Sequence, residues 1–264
     1  MPLAWLENQG FRGSWSSVAM AAGALPILIC LSGRSILSLS KTTLVGAVCI
    51  GVAVSFYSIA FSIEDVVRVM VLFYIAPFWS MLLEARFGRR KLTWRDIFSL
   101  LFLLVGILAI HEFNLSFENS SPLGISFALA SGLLFAVGAH LAFGSKSSDV
   151  VGMSLVLVVA AVAVSLGIAA ADGSRMAYPG GLDLEILLIP LLIGSLYVAP
   201  VMVGTLKSAT ILSPTMLTML LSLEIVSGFI SASIFSGQPF GLSHFLSCFC
   251  IVLAITLTYR KPAA

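Results

Sequence analysis

LSPTMLTMLLSLEIVSGFISASIFS, residues 212–236, carries a single acid, Glu224, in an otherwise uncharged apolar stretch. As a helix it starts well: Ser213 can cap it, and Pro214 takes the first helical position, where a missing N–H costs nothing. The length suits a membrane span, which puts Glu224 near mid-bilayer. A charge there costs about 2.5–3.5 kcal/mol even on mild insertion scales. Helical spacing places Ser213, Leu217, Leu220, Ser227, Gly228 and Ser231 on the face of Glu224. That small, partly polar face is expected to point into protein or a wet cavity, with Met219 and Ile230 toward lipid or other helices. Glu224 then either hydrogen-bonds a neighbouring helix or lies on a transport pathway.

Working outward, the whole chain has the same character. Its 264 residues are 59% hydrophobic and 10% charged, with a mean hydropathy of +1.09, which excludes an ordinary soluble domain. Cys30, Cys49, Cys248 and Cys250 sit in apolar runs without CxxC spacing and read as small core residues. The first apolar run, 14–31, has Glu7 and only Arg12 before it and no convincing cleavage site, so it reads as a retained span.

Spans fall at about 14–31, 42–61, 65–83, 96–112, 122–143, 149–171, 185–206, 212–235 and 241–258. Thr93-x-x-Asp96 reads as a capping box, Ser121-Pro122 as a cap, and Asp149 and Asp183 as caps of the next two spans. With the C-terminus in the cytoplasm, the inner side collects Arg34, Lys41, Arg86, Arg89, Arg90, Lys91, Arg95, Lys146, Lys207, Arg260 and Lys261. Arg12, Arg68 and Arg175 remain outside. Gly124, Ala128, Gly132 and Ala136, continued by His140 and Gly144, form a small-residue stripe for close helix contact. Gly51, Ser55 and Ser58 give the second span a small polar face. Pro190, Gly194, Pro200 and Gly204 predict a kinked or locally unwound seventh span.

Among candidate site residues, Arg68 follows Glu64 and Asp65, and serves either in an ion pair with them or as a clamp for a substrate carboxylate or phosphate. Trp79 shares the Arg68 face, and Tyr74 and Tyr197 can line a cavity or simply pack. Glu84 reads as part of the charged inner rim with Arg86 and Arg89. His140 reads first as a helix-contact residue and second as a proton relay. His244, Trp94 and Tyr259 belong to the interfaces.

IEDVVRVMVLFYIAPFW (63–79) set above ILSPTMLTMLLSLEIVS (211–227) completes the pattern. Each follows an apolar helix after a short turn and precedes a glycine-marked link and one last span; the charge rule runs the first copy inward and the second outward. That is an inverted repeat, the plan of many secondary carriers. With these residues the chain resembles the EamA-like branch of the drug/metabolite transporter superfamily. The resemblance is carried by FYSIAFSIEDVVRVMVLFYIAPFWSMLLEARFGRRKLTW (56–94), with Pro77 and its basic turn, and by 212–237, with Pro214 and Glu224. It implies two five-helix repeats, ten spans, both termini inside, and transport of small metabolites across the plasma membrane.

The sequence departs from that pattern in three places. Ile225 stands where a proline usually follows the acid, and Gly88-Arg89 and Gly237-Gln238 replace Gly-Glu pairs. Four spans precede Asn114 and five follow, so the first family helix has no counterpart: either coding sequence lies upstream of Met1 or this is a nine-span variant.

The expectation is an all-α, polytopic inverted-repeat bundle of about nine transmembrane helices, with residues 1–113 an incomplete first repeat and 114–264 the second. It is expected to be a secondary transporter of a small organic metabolite, an amino acid or amine, in a bacterial inner membrane. Arg68, Tyr74, Trp79, Tyr197 and Glu224 are the substrate-binding candidates, and Glu224 and His140 the proton-coupling ones. The partners are that substrate and the lipid bilayer; no nucleic acid is expected, and a homodimer fits. With no GxSxG, HExxH or Walker-type loop, neither an enzyme nor a cofactor is expected. The rival readings are a non-transporting assembly subunit and a truncated inactive homologue.

Overall fold

The structure, a computed structural model, describes residues 14–32, 39–87, 91–110, 120–143, 149–171, 184–227, 230 and 241–259. Every element there is helical: α1 (Ser14–Ser32), α2 (Lys41–Ile63), α3 (Val66–Phe73), α4 (Ala76–Arg86), α5 (Trp94–Ile110), α6 (Pro122–Ala142), α7 (Val150–Ala171), α8 (Leu184–Ile193), α9 (Ala199–Ile211), α10 (Pro214–Leu221) and α11 (Leu242–Thr258). Lys41–Ile63, Arg68–Arg86, Pro122–Ala142, Val150–Ala171 and Pro190–Ile211 are each long and apolar enough to cross a membrane. The chain is thus an all-helical, polytopic membrane protein.

Local chemistry sets the helix starts. Ser121 accepts the Gly124 N–H at 3.3 Å, Asp149 the Gly152 N–H at 2.9 Å, and Ser213 the Met216 N–H at 3.3 Å. Asp96 reaches back to the Thr93 N–H at 2.8 Å, as the capping box requires. Asp183, the remaining expected cap, lies outside the described residues.

Packing follows the small residues. Near the start of α2, Gly46 meets Gly138 and Ala142 near the end of α6, while Ile63 and Glu64 meet Gly124 at its start, so the two helices run antiparallel. A Cβ on Gly138 would lie 2.7 Å from the Gly46 carbonyl oxygen and 2.6 Å from Ile50. The other side of α2 lies along α7 in parallel: Gly51 touches Leu157, Ser55 donates to the Ala161 carbonyl at 2.7 Å, and Ser165 donates to Ser55 at 3.1 Å. Gly106 on α5 meets Ser247, Cys250 and Ile251 on α11, and Ser99 donates to the Ala254 carbonyl at 2.6 Å. The kink expected in the seventh span is a π turn at Gly194–Val198, packed against α1, where Ser195 donates to the Gly23 carbonyl at 2.8 Å.

Two spans expected to be continuous are broken. The 65–83 span divides into α3 and α4 at Tyr74 and Ile75, and α10 ends at Ser222 before a short helical continuation over 223–227. Pro77 causes the first break, because it has no N–H for the Phe73 carbonyl. The second break has no proline: Ile225 donates to Ser222 at 3.1 Å instead of reaching Leu221. The cysteine expectation holds only for Cys250, which is buried; Cys30 is exposed because α1 turns that face outward.

The glycine contacts yield a paired test. Gly138→Ala should destabilise the protein by about 1–3 kcal/mol, since the added methyl forces α2 and α6 apart. Gly204→Ala, with nothing within 4 Å of its added carbon, should leave thermal stability in detergent unchanged or raised.

Candidate functional site

The two breaks occupy the same place in the internal alignment. Val66–Phe73 and Pro214–Leu221 are both 8 residues long, and pairing 63–79 with 211–227 aligns Phe73 with Leu221 and Tyr74 with Ser222. The breaks also touch. Tyr74 donates its hydroxyl to the Leu221 carbonyl at 3.3 Å, which satisfies the oxygen that Ile225 leaves. Toward the helix ends, the hydroxyls of Ser80 and Thr218 meet at 3.3 Å, and Thr215 donates its hydroxyl to Glu84 at 2.7 Å. These three contacts run α4 and α10 antiparallel along their lengths.

The break brings a polar trio together. The Tyr74 hydroxyl lies close to the Tyr57 hydroxyl and the Glu224 carboxyl. Around it stands an aromatic cluster: Tyr57 and Phe73 rings 4.3 Å apart, Tyr57 and Phe61 at 4.5 Å, Phe73 and Tyr74 at 5.4 Å, and Phe73 and Phe135 at 6.0 Å. Tyr74 is buried, whereas Glu224 beside it is exposed. The break at Ser222 takes Glu224 off the regular face set by Ser213 and Leu217. A carboxylate beside two hydroxyls and several ring faces can hold an ammonium group or pass a proton.

The other sequence candidates lie elsewhere. Arg68 pairs with Glu64, whose second carboxylate oxygen accepts the Ser121 N–H at 2.6 Å and so ties α2 to the start of α6. Trp79 stacks edge-on with Phe78 at 5.3 Å, and Tyr197 is 55% exposed on the π turn. His140 is buried beside the Phe87 ring at 4.8 Å, at the end of the bundle where α4 finishes. Of the nominated residues, then, the structure brings Tyr74 beside Glu224, while Arg68, Trp79 and His140 make contacts of their own with Glu64, Phe78 and Phe87. Glu84 corrects the rim reading: it is only 2% exposed, because its carboxylate caps α10 through Thr215. Tyr57 was not singled out from the sequence; its signal was a hydroxyl-bearing aromatic in mid-span, one helical turn before Phe61. Among the described residues, no three or more His, Cys, Asp or Glu side chains converge as a metal site would require.

Residues 11–111 match the model of the EamA-like transporter family. The resemblance to the drug/metabolite transporter superfamily is therefore borne out over α1 to α5, and the match points to a membrane transporter of that type. The all-helical bundle is consistent with the architecture of that family. No curated protein matches it by sequence. One solved structure, described only as the crystal structure of a protein, superposes with a TM-score of 0.69 at 15% identity. It covers 97% of this chain and 87% of its own, a likeness of fold alone.

The Arg68 pair makes a definite prediction. In Arg68→Ala, the Glu64 carboxylate, 3% exposed, loses its cation. Unfolding in detergent should become easier by about 1–3 kcal/mol, with Arg68→Lys losing less.

Proposed function

We propose that this protein is a secondary transporter that carries a small organic metabolite, an amino acid or amine, across the bacterial plasma membrane by alternating access. The C-terminus lies in the cytoplasm, as the distribution of Lys and Arg favours. Substrate binds at the crossing of the broken helices, and Glu224 carries the coupling proton. The observation that carries this reading is the trio of Tyr57, Tyr74 and Glu224 where the two helices break. Broken helices put polar backbone at membrane depth, which lipid tolerates only where protein or a wet cavity receives it. An ionised Glu224 can attract an ammonium while the neighbouring rings add cation–π attraction of about 0.5–2 kcal/mol. A protonated Glu224 releases that ammonium, which makes proton and substrate competitors for one group.

Glu224→Gln tests the assignment because it keeps the shape and loses both charge and proton. For a solute that wild-type vesicles accumulate, a coupling role predicts loss of pH-driven accumulation with exchange retained. A role confined to binding predicts loss of both. Unchanged transport with unchanged pH dependence would remove Glu224 from the mechanism and return it to packing.

A further inference from the structure

The hydrogen bonds between α4 and α10 extend beyond the crossing and have no part in the binding trio. We propose that Glu84 and Thr215 form a reversible latch that closes the pathway at the end of the bundle where α4 finishes, and that α4 and α10 part there when the transporter opens to that side. This rests on the transport reading. Thr215 gives Glu84 two donors, its hydroxyl at 2.7 Å and its N–H at 3.4 Å, and Ser80 and Thr218 continue the polar seam inward. All four side chains are buried.

Two properties suit this seam to opening and reclosing. Its hydrogen bonds can be exchanged for bonds to water, so parting the helices leaves no polar group unmet, and each bond contributes only modestly in the closed state. The α2–α6 contact is the opposite kind, with glycine backbones in direct contact and nothing for water to replace. Glu84 also stands two residues before Arg86, where α4 ends, so water entering from that end reaches it before Ser80. The Tyr74–Leu221 bond lies at the far end of the same seam and can act as the pivot while the latch opens.

The test is the reactivity of Ser80→Cys toward a membrane-impermeant maleimide in permeabilised membranes, where either face is reached. Each variant is compared with the same protein lacking that cysteine, which subtracts Cys30 and the other native thiols. Glu84→Ala should raise the labelling rate of Cys at position 80 by about tenfold, and Thr215→Val, which keeps the N–H donor, by a smaller factor. Rates within about twofold of the parent in both variants would overturn the latch. If Glu84→Ala does not accumulate as folded protein, Thr215→Val alone decides. The labelling needs no substrate, so its failure leaves the carrier reading standing, and a failed transport assay leaves the labelling readable.

Discussion

A backbone carbonyl in lipid must find a donor, and two aligned carbonyls in this protein are left without the usual one. Pro77 removes the donor for Phe73, and the diversion of Ile225 to Ser222 removes the donor for Leu221. An unmet buried group costs about 1–3 kcal/mol, so a break at membrane depth favours local compensation. For Leu221 the compensation is the Tyr74 hydroxyl. Beside the Phe73 carbonyl stands Gly132, where a Cβ would lie 2.8 Å from that oxygen, so a glycine is needed for α6 to approach the break. The Tyr74 hydroxyl on the Leu221 carbonyl ties the first break to the end of α10, Gly132 lets α6 approach the Phe73 carbonyl, and Glu224 follows immediately beyond the second break.

Two kinds of contact hold the bundle together. Glycine-to-backbone contacts join α2 to α6, and the Glu64–Arg68 pair with the Ser121 N–H fixes the far end of that unit. Along α4 and α10 the contacts are hydroxyl and carboxylate bonds that water can replace. A carrier needs both kinds, a frame that does not yield and a seam that does.

Much of the architecture was legible in the sequence because lipid restricts the choices. Apolar length located the spans, cap residues located their starts, and the glycine stripe of α6 identified its contact face. The first break was not drawn from the sequence, although Pro77 marks it. The break at Ser222 was not legible, since no proline marks it and its compensating donor comes from Tyr74, far away in sequence. For the same reason Glu84 read as a rim charge. That error comes from a partner supplied by the other copy, Thr215, and periodicity within one helix carries no information about it. The link from Tyr57 to Tyr74 likewise depends on how α2 lies beside the broken span.

The central claim is that the crossing of α4 and α10 serves transport. It is tested most directly by sealed vesicles that contain the purified, folded protein and a trapped pH dye, challenged with a panel of amino acids and small amines. The account predicts that at least one solute moves protons across the membrane, with solute uptake in parallel, and that protein-free vesicles do neither. Folded protein that moves neither solute nor protons for any member of the panel would contradict it.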